Sequence, residues 1–446
     1  MADVVIIGAG PAGIFAAREL ALNDPSMEIV IIEQGNDIHA RSRTGREMLV
    51  GWGGAGAYSD GKLTISTDVG GQLSSLVADE ELLRLLEHVD GLYTGYAPSG
   101  DLFTVDSDDA EAMTAQARLS GLVYVPTRVR HIGTENLLVI LERLRHELDG
   151  RVRMIFNTMA KEILHRAGAV TGVELSDGTV IQAPRIIAAP GRVGSSWMSG
   201  QAKKLGLETH PNPVDLGVRV ELPAAVMEHL TSKAYETKYI HYSRTFDDKV
   251  RTFCMNPYGE VVIETLGDIV TVNGHSWANK RTENTNFALL VSANFTEPFD
   301  DPIGYGESVA RLANMLGKGV IVQRLGDLLS GRRTTQGRLQ KCTTRSTLKQ
   351  ATPGDLSYCL PYRILTDIVE MLSGLDRIAP GVNSAHTLLY GIEVKFYSNR
   401  IRLDRSLGSQ MDGLYVIGDG AGITRGLIQA SCSGIIAARS ILGLNQ

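Results

Sequence analysis

The sequence predicts an α/β fold: a parallel sheet built from two separated stretches of chain and extended by a small β-meander, with a mixed α+β block inserted between them. Three observations predict it. The chain opens on an apolar run, Val4–Ile7, a glycine turn and a helical pattern over Ile14–Leu22. It closes on the same order: Leu414–Ile417, a glycine-rich turn, then a helical pattern over Gly426–Leu442. Between them, from about Leu207, the character changes to aromatic, β-rich runs.

Each element has a local reason. Val4–Ile7 is apolar at every position, as in a strand buried on both faces of a parallel sheet. Asn23-Asp24-Pro25 ends the first helix, and Glu28–Ile32 supplies the second strand. Arg41–Thr67 is glycine-rich without either periodicity and reads as an ordered loop. Glu80–Leu92 and Asn136–Leu148 carry helical spacing. Short alternating runs between Val152 and Ala189, with turns at Arg166-Ala167-Gly168 and Ser176-Asp177-Gly178, read as the meander, returning to the parallel sheet at Arg185–Ala189. Strands are expected at Tyr235–Tyr242, Arg251–Met255, Val261–Thr265, Ile269–Val272 and Ala288–Ala293, and helices at Gly304–Leu316 and Tyr362–Leu372. The boundaries drawn are 1–205 and 376–446 for the discontinuous domain and 206–375 for the inserted one.

Composition narrows the classes. A chain 43% hydrophobic and 21% charged can bury a full core. A net charge of 44 − 50 = −6 gives no electrostatic reason to expect nucleic acid as a partner. The four cysteines (Cys254, Cys342, Cys359, Cys432) form no C-x-x-C pair, which argues against a disulfide framework, a zinc site or a dithiol centre, and no metal is expected. No apolar stretch reaches the ~18 residues of a membrane helix, and Val4–Ile7 is too short for a secretory leader; the expected compartment is the cytoplasm. The 48 glycines crowd into Gly8–Gly13, Gly51–Gly61 and Gly413–Gly434, as where backbone must approach a bulky ligand.

The first of these crowds is a G-x-G-x-x-G at Gly8, Gly10 and Gly13, between strand and helix. The first glycine permits the tight turn, the second lets a pyrophosphate approach the backbone, and the third lets helix and strand pack closely. The helix N-terminus, with Pro11 and Ala12, favours negative charge. Glu33, twenty positions after Gly13 and followed by Gln34, is placed to accept from a ribose diol. The pattern predicts a Rossmann-like dinucleotide-binding domain but does not choose the dinucleotide.

Gly413-Leu414-Tyr415-Val416-Ile417-Gly418-Asp419-Gly420-Ala421-Gly422 resembles the second flavin fingerprint of glutathione-reductase-type FAD proteins. The resemblance implies that Asp419 binds the ribityl chain of FAD and that the helix opening at Gly426, Leu427 and Ile428 points its N-terminus at the flavin. Ile186-Ile187-Ala188-Ala189-Pro190-Gly191-Arg192 resembles the middle fingerprint, with Pro190 where threonine is usual. More narrowly, Gly51-Trp52-Gly53-Gly54-Ala55-Gly56-Ala57-Tyr58-Ser59-Asp60-Gly61-Lys62-Leu63 resembles a signature of poorly characterised bacterial and archaeal FAD-dependent dehydrogenases. Stretches around Thr252–Met255, Val272–Ser276, Glu393–Tyr397 and Gly422–Gly426 resemble the same group. The resemblance implies an FAD-binding domain, an FAD-dependent oxidoreductase and a small-molecule substrate. It says little about which substrate.

The candidate residues follow. A loop over Gly54, Ala55 and Gly56 would lie along the flavin, with Ser59, Asp60, Gly61 and Lys62 in reach. Lys62 either stabilises the anionic reduced flavin or neutralises the pyrophosphate or Asp60. His275, His386, Tyr390, Glu393 and Lys395 are candidate acid–base groups; each histidine can equally be structural. Glu393 and Lys395 alternate on a strand and are expected to pair. The basic run Arg332, Arg333, Arg338, Lys341, Arg345 and Lys349 suits an anionic substrate or nucleotide headgroup, with Arg333, Arg345 and Arg425 the named contacts, or is a solvated face. Hydride transfer at flavin N5 is the expected chemistry, and a flavin monooxygenase or a non-catalytic flavin-binding module the alternatives. No second G-x-G-x-x-G follows a strand, so the expected electron source is NAD(P)H entering directly, a substrate or a redox partner protein; a homo-oligomer is also considered.

Overall fold

The computed structural model describes residues 1–444 except 43–44, 60, 97–99, 267, 277–279 and 296–300. The chain divides into two compact units, residues 1–102, 128–212 and 397–446 in the first, 103–127 and 213–396 in the second.

The first unit is organised on a five-stranded parallel sheet in the order Leu414–Val416, Ile186–Ala188, Val4–Ile7, Ile29–Ile32, Val152–Ile155. The three middle strands are buried at every position, which is why they read as uninterrupted apolar runs. Val152–Ile155 is part of this sheet, not of the meander; the meander is Ala160–Arg166, Ala169–Leu175 and Val180–Gln182. The first helix, Pro11–Asn23, lies against the last, Leu427–Leu442, so closely that a Cβ on Gly434 would stand 2.1 Å from the Ala12 carbonyl oxygen. The segment expected as loop from Arg41 to Thr67 contains a strand, Lys62–Ile65, antiparallel to Arg128–His131, with Leu63 and Ile65 turned inward.

The second unit is built on an eight-stranded sheet. Its order is Thr352–Pro353, Ile321–Arg324, Leu388–Lys395, Val214–Pro223, Asn284–Ala293, Lys249–Asn256, Lys238–Tyr242, Val123–Val125. Val214–Pro223 pairs with Asn284–Ala293 over ten residues, Val214 opposite Ala293 through Pro223 opposite Asn284. Strict alternation sends Val214, Leu216, Val218, Val220 and Leu222 into one apolar core, with the helices Pro302–Gly317 and Tyr362–Asp376 contributing to it. The other face of the same strand carries Asp215, Gly217, Arg219 and Glu221, all buried.

The units differ from the boundaries 205/206 and 375/376 for a physical reason. Val123–Val125 pairs with Lys238–Tyr242 at one sheet edge, and Leu388–Lys395 pairs with the central strand, so both belong to the second unit. These are contacts between residues far apart in sequence, which local pattern does not report.

Candidate flavin site

The first unit assembles a cradle from three glycine turns. Gly8 ends the first strand at φ +102°, and a Cβ there would stand 2.2 Å from the Ala189 carbonyl oxygen. A Cβ on Gly13 would stand 2.0 Å from the Gly8 oxygen. At Gly10 nothing lies within 4 Å of that position, so this is the open side of the turn. Gly10 caps the first helix without a side-chain hydrogen bond, Pro11 follows, and the first turn holds no acid. Its leading N–H groups therefore face an anion with no competing internal acceptor.

Glu33 holds this turn to the next two. Its Oε2 accepts from Ala9 N at 2.8 Å, and its Oε1 accepts from Gly35 N and Gly51 N, both at 2.9 Å. A carboxylate offers about four acceptor positions, so the ribose expected at Glu33 has one of them left. Gln34 beside it is half-buried. The loop that follows is set directly on the turn: Gly53 N donates to Ala9 O at 2.7 Å. A Cβ on Gly54 would stand 3.1 Å from Gly10 Cα, and one on Gly56 would stand 2.9 Å from Pro11 Cγ and 2.7 Å from Leu427 Cδ2. Ala55 thus sits between two residues that touch the heads of both helices.

Arg41, which no local motif marks, threads this loop. It donates to Trp52 O at 2.5 Å, Glu47 O at 2.6 Å and Gly54 O at 3.0 Å, and lies 4.8 Å over the Tyr58 ring. Trp52 is fully buried and donates to Leu141 O at 2.9 Å. Ser59 and Gly61 bracket Asp60, which lies outside the described residues. Lys62 is half-buried on its strand opposite His131.

The C-terminal turn completes the cradle. Gly418, at φ +70°, passes Ala12, where a Cβ would come within 3.0 Å of the alanine's own. Asp419 accepts from Thr424 Oγ1 at 2.9 Å and stands 3.8 Å from Arg192 Nε. Burial pushes its carboxyl above the usual range, outweighing Arg192, the Thr424 hydrogen bond and Arg425. Pro190 packs its ring where Gly420 leaves room, a Cβ there being 2.6 Å from Pro190 Cγ. Gly191 and Gly426 have nothing within 4 Å of a Cβ position, and Gly426 heads the last helix without a side-chain cap. Leu427 and Ile428 behind it are buried. Arg425 stacks 4.0 Å over Tyr397 and donates its N–H to Gly70 O at 2.6 Å.

Two bare helix heads, three positions where a Cβ would meet nothing (Gly10, Gly191, Gly426) and the half-buried Asp419 carboxylate suit a dinucleotide whose pyrophosphate needs N–H donors and whose hydroxyls need an acceptor. The residues fit FAD, with Gly10–Gly13 the ones that would hold the pyrophosphate, Glu33 the adenosine side and Asp419 the ribityl hydroxyls.

The candidate residues of the second unit have other company. Glu393 is fully buried in a two-pronged pair with Arg219, Nε to Oε2 and Nη2 to Oε1 both at 2.7 Å. Arg219 also donates to Cys254 O, Asn286 Oδ1 and Asn273 Oδ1. Lys395 lies between Glu264 at 3.2 Å and Glu393 at 3.3 Å. The alternation of Glu393 and Lys395 thus does bring them together. Tyr390 is fully buried, donates to Glu221 and lies 2.8 Å from Ser346 Oγ, and burial and the Glu221 charge raise its hydroxyl far above the usual value. His386 accepts from Thr343 N at 3.0 Å through Nδ1, a backbone-capping contact that requires the ring nitrogen unprotonated. His275 ends a strand, its backbone opposite Glu260. Arg333 and Arg345 are exposed, whereas Arg332 and Arg338 gather on Asp327. The charged row on Val214–Pro223 was readable: Asp215, Arg219 and Glu221 alternate with Leu216, Val218 and Val220 in an otherwise apolar run. Arg41 carried no such signal.

Residues 3–138 match the family model described as FAD dependent oxidoreductase, and residues 213–396 match that described as FAD-dependent protein, C-terminal domain-like. A protein of Clostridium beijerinckii (strain ATCC 51743 / NCIMB 8052), itself uncharacterized, is 26% identical over 479 residues, which cover 98% of this chain and 80% of that one. Among solved structures, pyridoxine 4-oxidase from Mesorbium loti aligns at TM-score 0.47 and 13% identity over 100% of both chains. L-proline dehydrogenase from P. horikoshii aligns at TM-score 0.42 and 11% identity, over 100% of this chain and 94% of that one. The Rossmann-like fold, the cradle and the two family models define an FAD-dependent oxidoreductase: the chain is an enzyme, and its cofactor is FAD. No helix among the described residues is long and apolar enough to cross a membrane.

Proposed function

We propose that the enzyme exchanges a hydride between flavin N5 and a small organic anion, acting as a dehydrogenase or reductase, with the second unit as its substrate domain. The order of the three fingerprints supports the narrower placement with glutathione-reductase-type flavoproteins. FAD, when bound, supplies the hydride acceptor or donor. The first helix would hold the pyrophosphate with its leading N–H groups, Asp419 would accept from the ribityl hydroxyls, and Lys62 would set the charge near the ring.

The observation that carries the substrate reading is the row of ionisable side chains on one face of the second unit's sheet. Asp215, Arg219 and Glu221 share that face with Glu393 and Lys395 across the strand pairing, Asp215 opposite Lys395. Lys395, only 8% exposed, has its Nζ fixed between two carboxylates. Arg251 pairs with Asp215 at 2.5 Å and lies 4.7 Å over Phe253, so its guanidinium is oriented before any anion arrives.

The test is a visible spectrum of the purified protein followed by anaerobic titration with NADPH and NADH. Bleaching of the flavin band makes NAD(P)H the donor; a flavin bleached only by organic substrates makes the enzyme a dehydrogenase that draws electrons from its substrate. Oxygen uptake coupled to a hydroxylated product replaces hydride exchange with monooxygenation. A bound flavin that no donor reduces in the intact fold overturns the catalytic reading.

A further inference from the structure

The basic run of the second unit is a folded object, not a solvated tail. Between Asp327 and Asp355 the chain has six arginines and lysines (Arg332, Arg333, Arg338, Lys341, Arg345, Lys349) and no carboxylate, in a protein of net charge −6. Its backbone is tied down throughout. Gln323 Nε2 donates to Arg332 O at 2.9 Å, Thr334 N to Gly354 O at 2.9 Å, Thr343 N to His386 Nδ1 at 3.0 Å and Asn284 Nδ2 to Arg345 O at 2.8 Å.

At its centre three guanidinium groups converge on one carboxylate. Asp327 is fully buried. Arg324 reaches it through Nε at 3.0 Å, Arg332 through Nε at 2.9 Å, and Arg338 stands at 3.9 Å. Thr334 Oγ1 donates to the same carboxylate at 2.8 Å. Arg324 is consumed by internal contacts, its Nη1 donating to Arg338 O at 3.1 Å. Arg332 and Arg338 are 51% and 39% exposed. Among the described residues, neither terminal nitrogen of Arg332 makes a hydrogen bond, and Arg338 uses only Nη1, towards Arg333 O at 2.9 Å. Asp355, the next carboxylate along the chain, has its Oδ1 taken by Ser357 N and Oγ.

Three positive groups on one negative group leave a local charge of 3 − 1 = +2. Like charges held this close repel unless a counter-anion joins them. We propose that Arg332 and Arg338, oriented by Asp327, form a binding site for a phosphate group, either inorganic phosphate or the phosphate monoester of a nucleotide. A phosphate monoester carries close to two negative charges at neutral pH and three acceptor oxygens. It therefore matches both the charge and the surplus donors, where a carboxylate offers one charge and two oxygens. Guanidinium forks are suited to this geometry. The site owes nothing to the flavin chemistry.

The test is calorimetry on the FAD-loaded protein with inorganic phosphate, with adenosine 2′,5′-bisphosphate and with acetate as the monoanion control. The expected result is saturable phosphate binding, absent with acetate, that weakens about tenfold or more in Arg332→Gln or Arg338→Gln, with the visible flavin spectrum unchanged. Arg333→Gln removes the same charge beside the cluster and is expected to change affinity less than about threefold, the size of a screened rim charge. If the bisphosphate binds about tenfold more tightly than phosphate, the source is a nucleotide; equal affinities point to free phosphate. No saturable phosphate binding, equal binding of acetate, or an equal loss in Arg333→Gln overturns the site. Because FAD content is read from the spectrum, a failure here is separate from a failure of the flavin reading.

Discussion

Single side chains decide what the cradle can hold. Asp419 is the one carboxylate of the C-terminal turn, and burial raises its carboxyl above the usual range, a cost that hydroxyl donors of a bound ribityl chain would offset. Hydrogen bonds to charged groups contribute about 1.5–3 kcal/mol each. Asp419→Ala is therefore expected to weaken FAD binding on the order of tenfold to a hundredfold, measured as flavin retained on dialysis, with the apo fold unchanged by circular dichroism. Lys62 separates two roles. If its charge acts on the ring, Lys62→Met lowers the flavin midpoint potential while FAD affinity holds; if it neutralises the pyrophosphate, affinity falls and the potential stays. Redox titration of the two proteins decides. The chain's spacing marked Asp419 and Lys62 because both sit in contiguous motifs. Arg41 escaped because its partners are carbonyl oxygens at Glu47, Trp52 and Gly54, contacts that any residue type at those positions offers.

At the scale of elements, the strand–turn–helix at Gly8–Gly13 separates folding from binding. A Cβ at Gly8 or Gly13 would collide with backbone at 2.2 Å or 2.0 Å, whereas at Gly10 it would enter open space. Gly10 also has φ −78°, which alanine adopts freely. Gly10→Ala is thus expected to fold with wild-type thermal stability yet lose FAD, because its methyl occupies the pyrophosphate's place. Gly8→Ala and Gly13→Ala are expected to melt several degrees below the wild type or express poorly, overpacking costing about 1–3 kcal/mol or more. Thermal melts with and without added FAD distinguish the two outcomes. In the second unit, the strand Val214–Pro223 carries the Arg219–Glu393 pair. Arg219→Met leaves Glu393 buried beside Lys395 alone and is expected to cost about 3–5 kcal/mol, read from urea melts. The double change Arg219→Met with Glu393→Leu is expected to recover most of that loss, since no unpaired charge is left behind. Element type was legible wherever a pattern was long. The helix over Glu80–Leu92 runs Asp79–Tyr96, and that over Gly304–Leu316 runs Pro302–Gly317. Among the helices not foreseen, Ser107–Leu119 buries only Met113 and Ala117, too little for periodicity to stand out, whereas Ser195–Leu205 buries Met198, Gln201, Ala202 and Leu205 and has a polar residue, Gln201, within its buried face.

For the whole molecule, stability is expected to depend on pH through one buried acid of the second unit. Asp367, fully buried on the helix Tyr362–Asp376, has its carboxyl pushed up to about 6, chiefly by burial and with a contribution from the Asp248 charge. A carboxyl raised in the fold binds its proton more tightly folded than unfolded. Its contribution is complete below the ordinary value near 4 and is lost as pH rises through about 6. Asp367→Asn is expected to melt above the wild type at pH 8, by roughly 2–3 kcal/mol at about 1.4 kcal/mol per pKa unit, and to lose that advantage by pH 4; equal melting points at both pH values would refute it. By itself the sequence determined the nucleotide fold and the glycine turns, because strand, turn and helix headings lie within about twenty residues of one another and backbone geometry at a glycine is a local property; the choice of FAD came from the resemblance of its fingerprints to those of known flavoproteins. Only the tertiary structure decided that Val123–Val125 and Leu388–Lys395 join the second unit's sheet, that Glu33 binds three backbone N–H groups, and that three arginines meet on Asp327. Those outcomes depend on register and burial across the sheets, where the energy of a charge is set by its neighbours in space rather than in sequence.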